Sequence, residues 1–275
     1  MAVFPLYFSE LSASMKNFWT ALSVQRRVIF ALILRETRTR YGKTRLGHLW
    51  ALFEPLAHML TFAAIFSFMG RSSPLGGSVA LLVLTGLFPY ALFSNTATQL
   101  MNAVSANRVL LSYPHVTPFD VMAARMILEV LTQVVVFTFV LFILAVQGLW
   151  DMRIDNILEL ITVVFVCAGL GAGFGLINAV LTFKFPSYAQ TFGILMRPMY
   201  FMSGIFFVAS YMSTSIQNIL YYNPVAHLIE WFRSAMYEGY ESSFLDKKYL
   251  VTFTITVLFF GLLLLRLVRH KIRQQ

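Results

Sequence analysis

Charge is scarce in this sequence: aspartate, glutamate, lysine and arginine make up 12% of its 275 residues, where a soluble domain carries roughly 25%. A chain so poor in charge cannot cover itself with polar surface, which excludes an ordinary soluble domain. Cysteine is scarcer still. The single Cys167 lies inside an apolar run, so no intrachain disulfide is possible and the redox compartment is not encoded. Catalytic motifs are also missing: there is no G-x-x-x-x-G-K-[ST] phosphate loop, no H-E-x-x-H, no cysteine cluster and no G-x-S-x-G. His48, His58, His115, His227 and His270 are scattered, which argues against a metal site. Met1 to Ser14 lacks the basic segment, apolar core and small-residue cleavage site of a removable signal peptide. No enzyme and no cofactor site is therefore expected in this chain, and uphill transport would need energy from elsewhere.

What the chain does have is apolar length. It is 58% hydrophobic and 16% aromatic, and runs of about 18 or more apolar residues read as membrane-spanning helices. Six spans are expected near residues 49–69, 79–101, 121–146, 157–183, 191–209 and 250–268, giving an all-α integral membrane protein with one transmembrane domain over residues 1–275. The fifth span is short and contains Arg197-Pro198, which favours a kink or a broken element. With the N-terminus inside, the cytoplasmic segments hold sixteen lysines and arginines and the outside segments five. Both termini are then cytoplasmic. A basic balance also suits nucleic acid or anionic lipid, but orientation accounts for most of the +9 net charge; membrane lipid is a partner and no nucleic-acid partner is expected.

Three segments flank the spans. Residues 1–48 form a cytoplasmic or interfacial segment. Within it Phe18, Trp19, Leu22, Ile29 and Ile33, interleaved with Arg26 and Arg27, suit an amphipathic helix lying in the headgroup layer; a signal anchor is the plainer alternative. Residues 102–120 read as a cytoplasmic loop. Asn107 to Ser112 has the makings of a short helix ended by Tyr113-Pro114, though an ordinary loop fits the pattern equally well. Residues 210–249 lie outside yet stay aromatic. Asn223-Pro224 interrupts them and Glu230, Arg233 and Glu238 are interspersed, so two short re-entrant helices at the mouth of a pathway fit best, with Tyr222 and Trp231 among their aromatics.

Charges inside spans are costly and default to functional readings. Glu54, Arg125, Glu129 and Arg197 all fall within roughly 12 Å of the cytoplasmic ends of their spans at about 1.5 Å per residue. They form one layer of opposite charges in which Arg125 and Glu129, spaced i, i+4, are able to pair along one face. Arg197, assisted by Arg38 and Arg40, is a candidate for attracting an acidic substrate; an ion pair of Arg197 with Glu129 or Glu54 is the structural alternative. Gly169 with Gly173 and Gly171 with Gly175 are small-xxx-small pairs, read as helix packing in lipid rather than a dinucleotide fingerprint.

These residues resemble the permease subunits of ABC exporters for capsular polysaccharide, the KpsM family, with O-antigen permeases as close relatives. The resemblance runs over nearly the whole chain. It is carried by Arg40-Tyr41, Leu46-Gly47, Trp50 and Pro55-Leu56, by Gly86-Leu87-Phe88-Pro89-Tyr90, and by Asn107-Arg108-Val109-Leu110 before Pro114 and Pro118. Ser203-Gly204-Ile205-Phe206-Phe207 and Asn223-Pro224-Val225 leading to His227, Glu230 and Arg233 complete it. Gly42-Lys43-Thr44-Arg45 departs from it, being more basic than in many relatives.

The resemblance implies a homodimer joined to two copies of a cytosolic ABC ATPase, which would bind ATP and Mg. Asn107, Arg108, Leu110 and Pro114 would form the coupling helix. The cargo would be a lipid-linked acidic glycan leaving the inner membrane of a Gram-negative bacterium, handed to a periplasmic adaptor and an outer-membrane exporter. Arg38, Arg40, Arg197, Tyr90, Tyr222 and Trp231 would lie along its path. An O-antigen, teichoic acid or hydrophobic-compound exporter would share this architecture. A membrane-embedded glycosyltransferase would gather its acids at a nucleotide-sugar site, whereas the twelve acids here are dispersed; a structural scaffold would not need the inner-leaflet charges.

Overall fold

The computed structural model describes residues 4–41, 47–70, 72–113, 116–149 and 154–273. Among these every regular element is helical: α1 (Phe4–Tyr41), α2 (Gly47–Phe68), α3 (Val79–Met101), the short α4 (Ala103–Ala106) and α5 (Arg108–Leu111), then α6 (Pro118–Val146) and α7 (Ile157–Lys184). After them come α8 (Tyr188–Met202), a 3-10 turn at Ala209–Tyr211, α9 (Thr214–Leu220), α10 (Pro224–Met236) and α11 (Lys247–Arg273).

Local chemistry sets the boundaries. Ser78 caps α3 by accepting from the Leu81 amide at 3.1 Å. A reciprocal capping box of Thr117 and Asp120, with Pro118 in the first turn, starts α6. That helix ends in a Schellman motif: the Gly148 amide donates to Ala145 O at 3.0 Å and the Leu149 amide to Leu144 O at 2.9 Å. Gly148 takes the required positive φ of 67°. Asn156 opens α7 and Asn223 followed by Pro224 opens α10, each through its side-chain oxygen.

Four helices, within α3, α6, α7 and α11, are long and apolar enough to cross a membrane by length and composition. They coincide with the expected second, third, fourth and sixth spans. The expected first span falls on α2, where the apolar stretch is Leu56–Phe66, and the expected fifth on α8, which is 15 residues long. The chain beyond α8 turns away at Ser203 and Gly204 instead of continuing to residue 209.

The centre of the bundle is α3, packed between α7, α6, α10 and α2, while α11 covers the far side of α7. The α7 glycines set both contacts. A Cβ at Gly171 would stand 2.7 Å from Phe93 O, and one at Gly175 2.6 Å from Leu100 Cβ, both on α3. A Cβ at Gly173 would meet the Leu258 amide at 2.9 Å, and one at Gly169 would meet Thr254 Cγ2 at 3.3 Å, both on α11. The two small-xxx-small pairs therefore face opposite neighbours and admit close backbone approach on both sides. Gly175→Val is expected to lower stability by about 1–3 kcal/mol through overpacking. Gly193→Ala, with nothing within 4 Å, should cost nothing. Equal thermal midpoints for the purified Gly175→Val and wild-type proteins would contradict the close approach.

Two apolar cores follow. One joins α3, α6, α7 and α10 around Phe88, Phe137 and Phe232. The other joins α1, the turn after α3, the first turns of α6 and the last turns of α7 and α11. This second core marks the end of the bundle at which Arg35, Arg108, Arg125, Lys184, Arg266 and Arg269 gather.

Candidate functional site

At this basic end α1 is longer than the amphipathic stretch expected at residues 17–34, and four polar links fasten it to the bundle. Gln25 Nε2 donates to Asp120 Oδ1 at 2.9 Å, and an Arg35 guanidinium nitrogen donates to Asn107 Oδ1 at 2.6 Å. Arg125 pairs with Glu36 at 2.7 Å and Arg40 with Glu129 at 2.7 Å. Val28, Ile29 and Ile33 pack beside Leu32 against the second core, while Trp19, Phe30 and Leu34 point away. The expected pairing of Arg125 with Glu129 along α6 is thus corrected. Each takes a partner from α1, because α1 runs alongside α6 and offers a second row of opposite charge. Glu129 is fully buried, its remaining oxygen accepting from Gln133 Nε2 at 2.9 Å. Arg40 is therefore tied to a buried carboxylate, whereas Arg38 on the same helix is exposed.

The loop from α3 to α6 folds into α4 and α5. Of the residues expected to couple, Asn107 is buried and donates its amide to Ala103 O at 3.0 Å, and Leu110 packs against the second core. Arg108 is exposed, and beside it Val109 is 78% exposed. Val109 carries the resemblance but was not among the residues expected to couple, although an apolar residue inside a polar loop was the available signal. Pro114 lies outside the described residues, as do Lys43 and Arg45.

On α8, Arg197 is exposed and forms no ion pair with a described residue; Glu129, one proposed partner, is taken by Arg40. The side chain of Glu54, the other, falls outside the described residues. One turn from Arg197 an aromatic layer joins α2 to α8. Phe62 lies 4.3 Å from Phe206, centroid to centroid, Phe66 lies 5.8 Å from Phe206, and Tyr200 packs edge-on against Phe201 at 5.2 Å and Tyr90 at 5.1 Å. Tyr90 is itself buried and donates its hydroxyl to Met196 O at 2.8 Å. It stands behind this layer and holds α8, which corrects its expected position on the path.

At the opposite end, three separated stretches meet. Gly86 leaves α3 bare where the chain at Ile205 crosses: a Cβ there would lie 2.7 Å from the Ile205 Cα and 3.0 Å from a guanidinium nitrogen of Arg233. Arg233 is fully buried, donating to Phe207 O at 2.7 Å, Ile205 O at 3.0 Å and Leu82 O at 3.3 Å. Glu230, 3.6 Å away, accepts from the Ala209 amide at 2.9 Å, from Ser242 at 2.8 Å and from Ser210 and Tyr240. His227 Nε2 donates to Tyr221 O at 2.9 Å, and Nδ1 accepts from the Asp246 amide at 3.2 Å, which fixes the neutral tautomer. Outside the spans, Asp246 is held below the usual carboxylate range by the Tyr249 amide and then the Tyr221 hydroxyl.

Most of α10 is buried in this junction. Trp231 is 5% exposed and donates Nε1 to Glu159 at 3.0 Å, with the Lys247 ammonium 5.3 Å from its ring centre. It packs in the wall, correcting its expected exposure to substrate. Tyr222, by contrast, is 78% exposed. Among the described residues no three His, Cys, Asp or Glu side chains gather closely enough to hold a metal ion.

A bundle of long apolar helices with one basic end and one polar-locked end defines a multi-pass membrane protein. The chain belongs to the ABC-2 type transporter family, whose sequence model matches residues 27–237. It is similar to the polysialic acid transport protein KpsM of Escherichia coli, at 36% identity over 90% of this chain and 95% of that one. The capsule polysaccharide export inner-membrane protein CtrC of Neisseria meningitidis serogroup B is 28% identical over 90% of this chain and 92% of its own. BexB of Haemophilus influenzae, with the same description, is 26% identical over 91% and 94%.

Proposed function

We propose that this chain is the membrane-spanning half of an ATP-driven exporter that moves a lipid-linked acidic capsular polysaccharide across a Gram-negative inner membrane. The observation that carries the reading is the near full-length similarity to a polysialic acid transport protein. Two copies would dimerise and join two cytosolic ATPases, which bind ATP and Mg; this chain contributes no catalysis. A periplasmic adaptor and an outer-membrane exporter would receive the glycan. In this reading the basic end is cytoplasmic, as are both termini, in line with the retention of basic residues inside. The transmembrane domain then spans six times, with α2 as first and α8 as fifth span, and residues 210–249 dip back from outside.

The pathway is proposed along α8, where Arg197 offers a bidentate cation for carboxylate or phosphate. Phe62, Phe201 and Phe206 offer flat apolar faces over which sugar rings slide without a deep well. Arg38 is exposed near the entrance, and Tyr222 stands at the exit. The coupling contact is Arg108 with Val109. Val109→Asp, with Arg108→Asp in parallel, should insert normally yet lower surface capsule by about tenfold while the complex still hydrolyses ATP. Capsule staining and ATPase assays on the purified complex check this; unchanged export in both variants would reject the contact.

A further inference from the structure

We infer that a wedge between the first turn of α6 and the last turns of α11 binds one anionic glycerophospholipid of the surrounding leaflet. An open cavity of about 390 Å³ lies there, lined by Thr117, Phe119, Leu262, Leu265, Arg266 and Arg269. Its size suits a headgroup, since small-molecule sites begin at roughly 300 Å³. The two arginines sit one turn apart, neither forms an ion pair with a described residue, and no acid lines the cavity. Asp120, just inside α6, has both oxygens occupied, one by Gln25 and the other by Thr117. The α6 terminus is closed by its own capping box, so the attraction for an anion comes from the guanidiniums.

What distinguishes a lipid from a soluble anion is the face below. Ile255, Phe259 and Leu262 continue the same stripe of α11 at alternating four- and three-residue steps toward Arg266 and Arg269, and all three are exposed. From Ile255 to Arg266 the stripe runs about 16 Å along the helix. That is close to half of a roughly 30 Å hydrocarbon core. An acyl chain laid on the stripe ends at its phosphate beside the two guanidiniums. Basic pockets between helices at the cytoplasmic side suit anionic headgroups for this reason. The site does not depend on what the protein exports.

The test uses the purified full-length chain in native mass spectrometry, titrated with phosphatidylglycerol and separately with phosphatidylcholine. One phosphatidylglycerol should be retained in preference to phosphatidylcholine. The double variant Arg266→Gln with Arg269→Gln should weaken retention about ten- to thirtyfold, the factor two cations near an anionic surface supply. Lys247→Gln with Lys248→Gln, which removes the same charge at the opposite, exposed end of α11, should leave it unchanged. Leu262→Trp, filling the cavity without a charge change, should weaken it too and stands in if the double variant misfolds. Equal losses in the arginine and lysine pairs, no preference over phosphatidylcholine, or undiminished retention in Leu262→Trp overturns the inference. Full competition by soluble glycerol 3-phosphate at the same concentration would also overturn it, since that marks a phosphate site rather than a lipid site.

Discussion

Arg233→Gln is expected to destabilise the protein by about 3–5 kcal/mol, the range for stripping one member from a buried charged pair. The guanidinium is fully buried and donates to three backbone carbonyls contributed by α3 and the crossing at residues 205–207. An amide reaches at most two of them and leaves Glu230 facing an uncompensated interior. Arg233→Lys should recover only part of the loss, because a point charge cannot span carbonyls lying in different directions. Thermal unfolding in detergent, together with the yield of monodisperse protein, measures this. A glutamine variant that melts with wild type would mean that the junction contributes nothing to stability.

The second large effect separates two arginines that look alike in sequence. Arg40→Gln should cost about 1–3 kcal/mol, because the buried Glu129 carboxylate then loses its cation and keeps the Gln133 amide, and Glu129→Gln added to it should restore most of that loss. Arg197→Gln should leave the melting curve near wild type, since this side chain is exposed and unpaired among the described residues. Its proposed contact is with cargo, so surface capsule should fall about tenfold, and Arg197→Lys should retain part of export. Capsule staining beside thermal melts on all four variants reads both arms. If Arg197→Gln lowers stability and a second neutralised acid rescues both stability and export, the substrate contact is rejected.

Four long spans were legible because lipid demands some twenty apolar residues in one stretch, and α3, α6, α7 and α11 have little else to say. The α7 glycines were legible for a related reason: their four-residue spacing puts each pair on one face, and α3 and α11 take one pair each. Which acid each basic residue meets was not legible. Arg125 and Glu129 satisfy the local spacing rule, yet their partners Glu36 and Arg40 lie about ninety residues earlier and reach them only because α1 lies alongside α6. The junction around Glu230 was half visible. An acid and an arginine three apart in an apolar segment marked it, but Ser210 comes from the short 3-10 turn and Tyr240 and Ser242 from the loop after α10, none with a periodicity to read. Tyr90 and Trp231 misled because an aromatic suits a sugar path and a protein core equally well, and only the fold distinguishes the two.

The glycine contacts on α7 also bear on movement. A helix separated from two neighbours by side-chain tips is able to slide by changing rotamers; one seated against their backbones has no such slack. The trio α3, α7 and α11 therefore behaves as a stiff plank, and close-packed interfaces of this sort shift as units instead of deforming. In the proposed exporter a conduit would open at the looser seam where α2 meets α8 through rings. An engineered crosslink within the plank should leave transport intact, and one across that seam should arrest it.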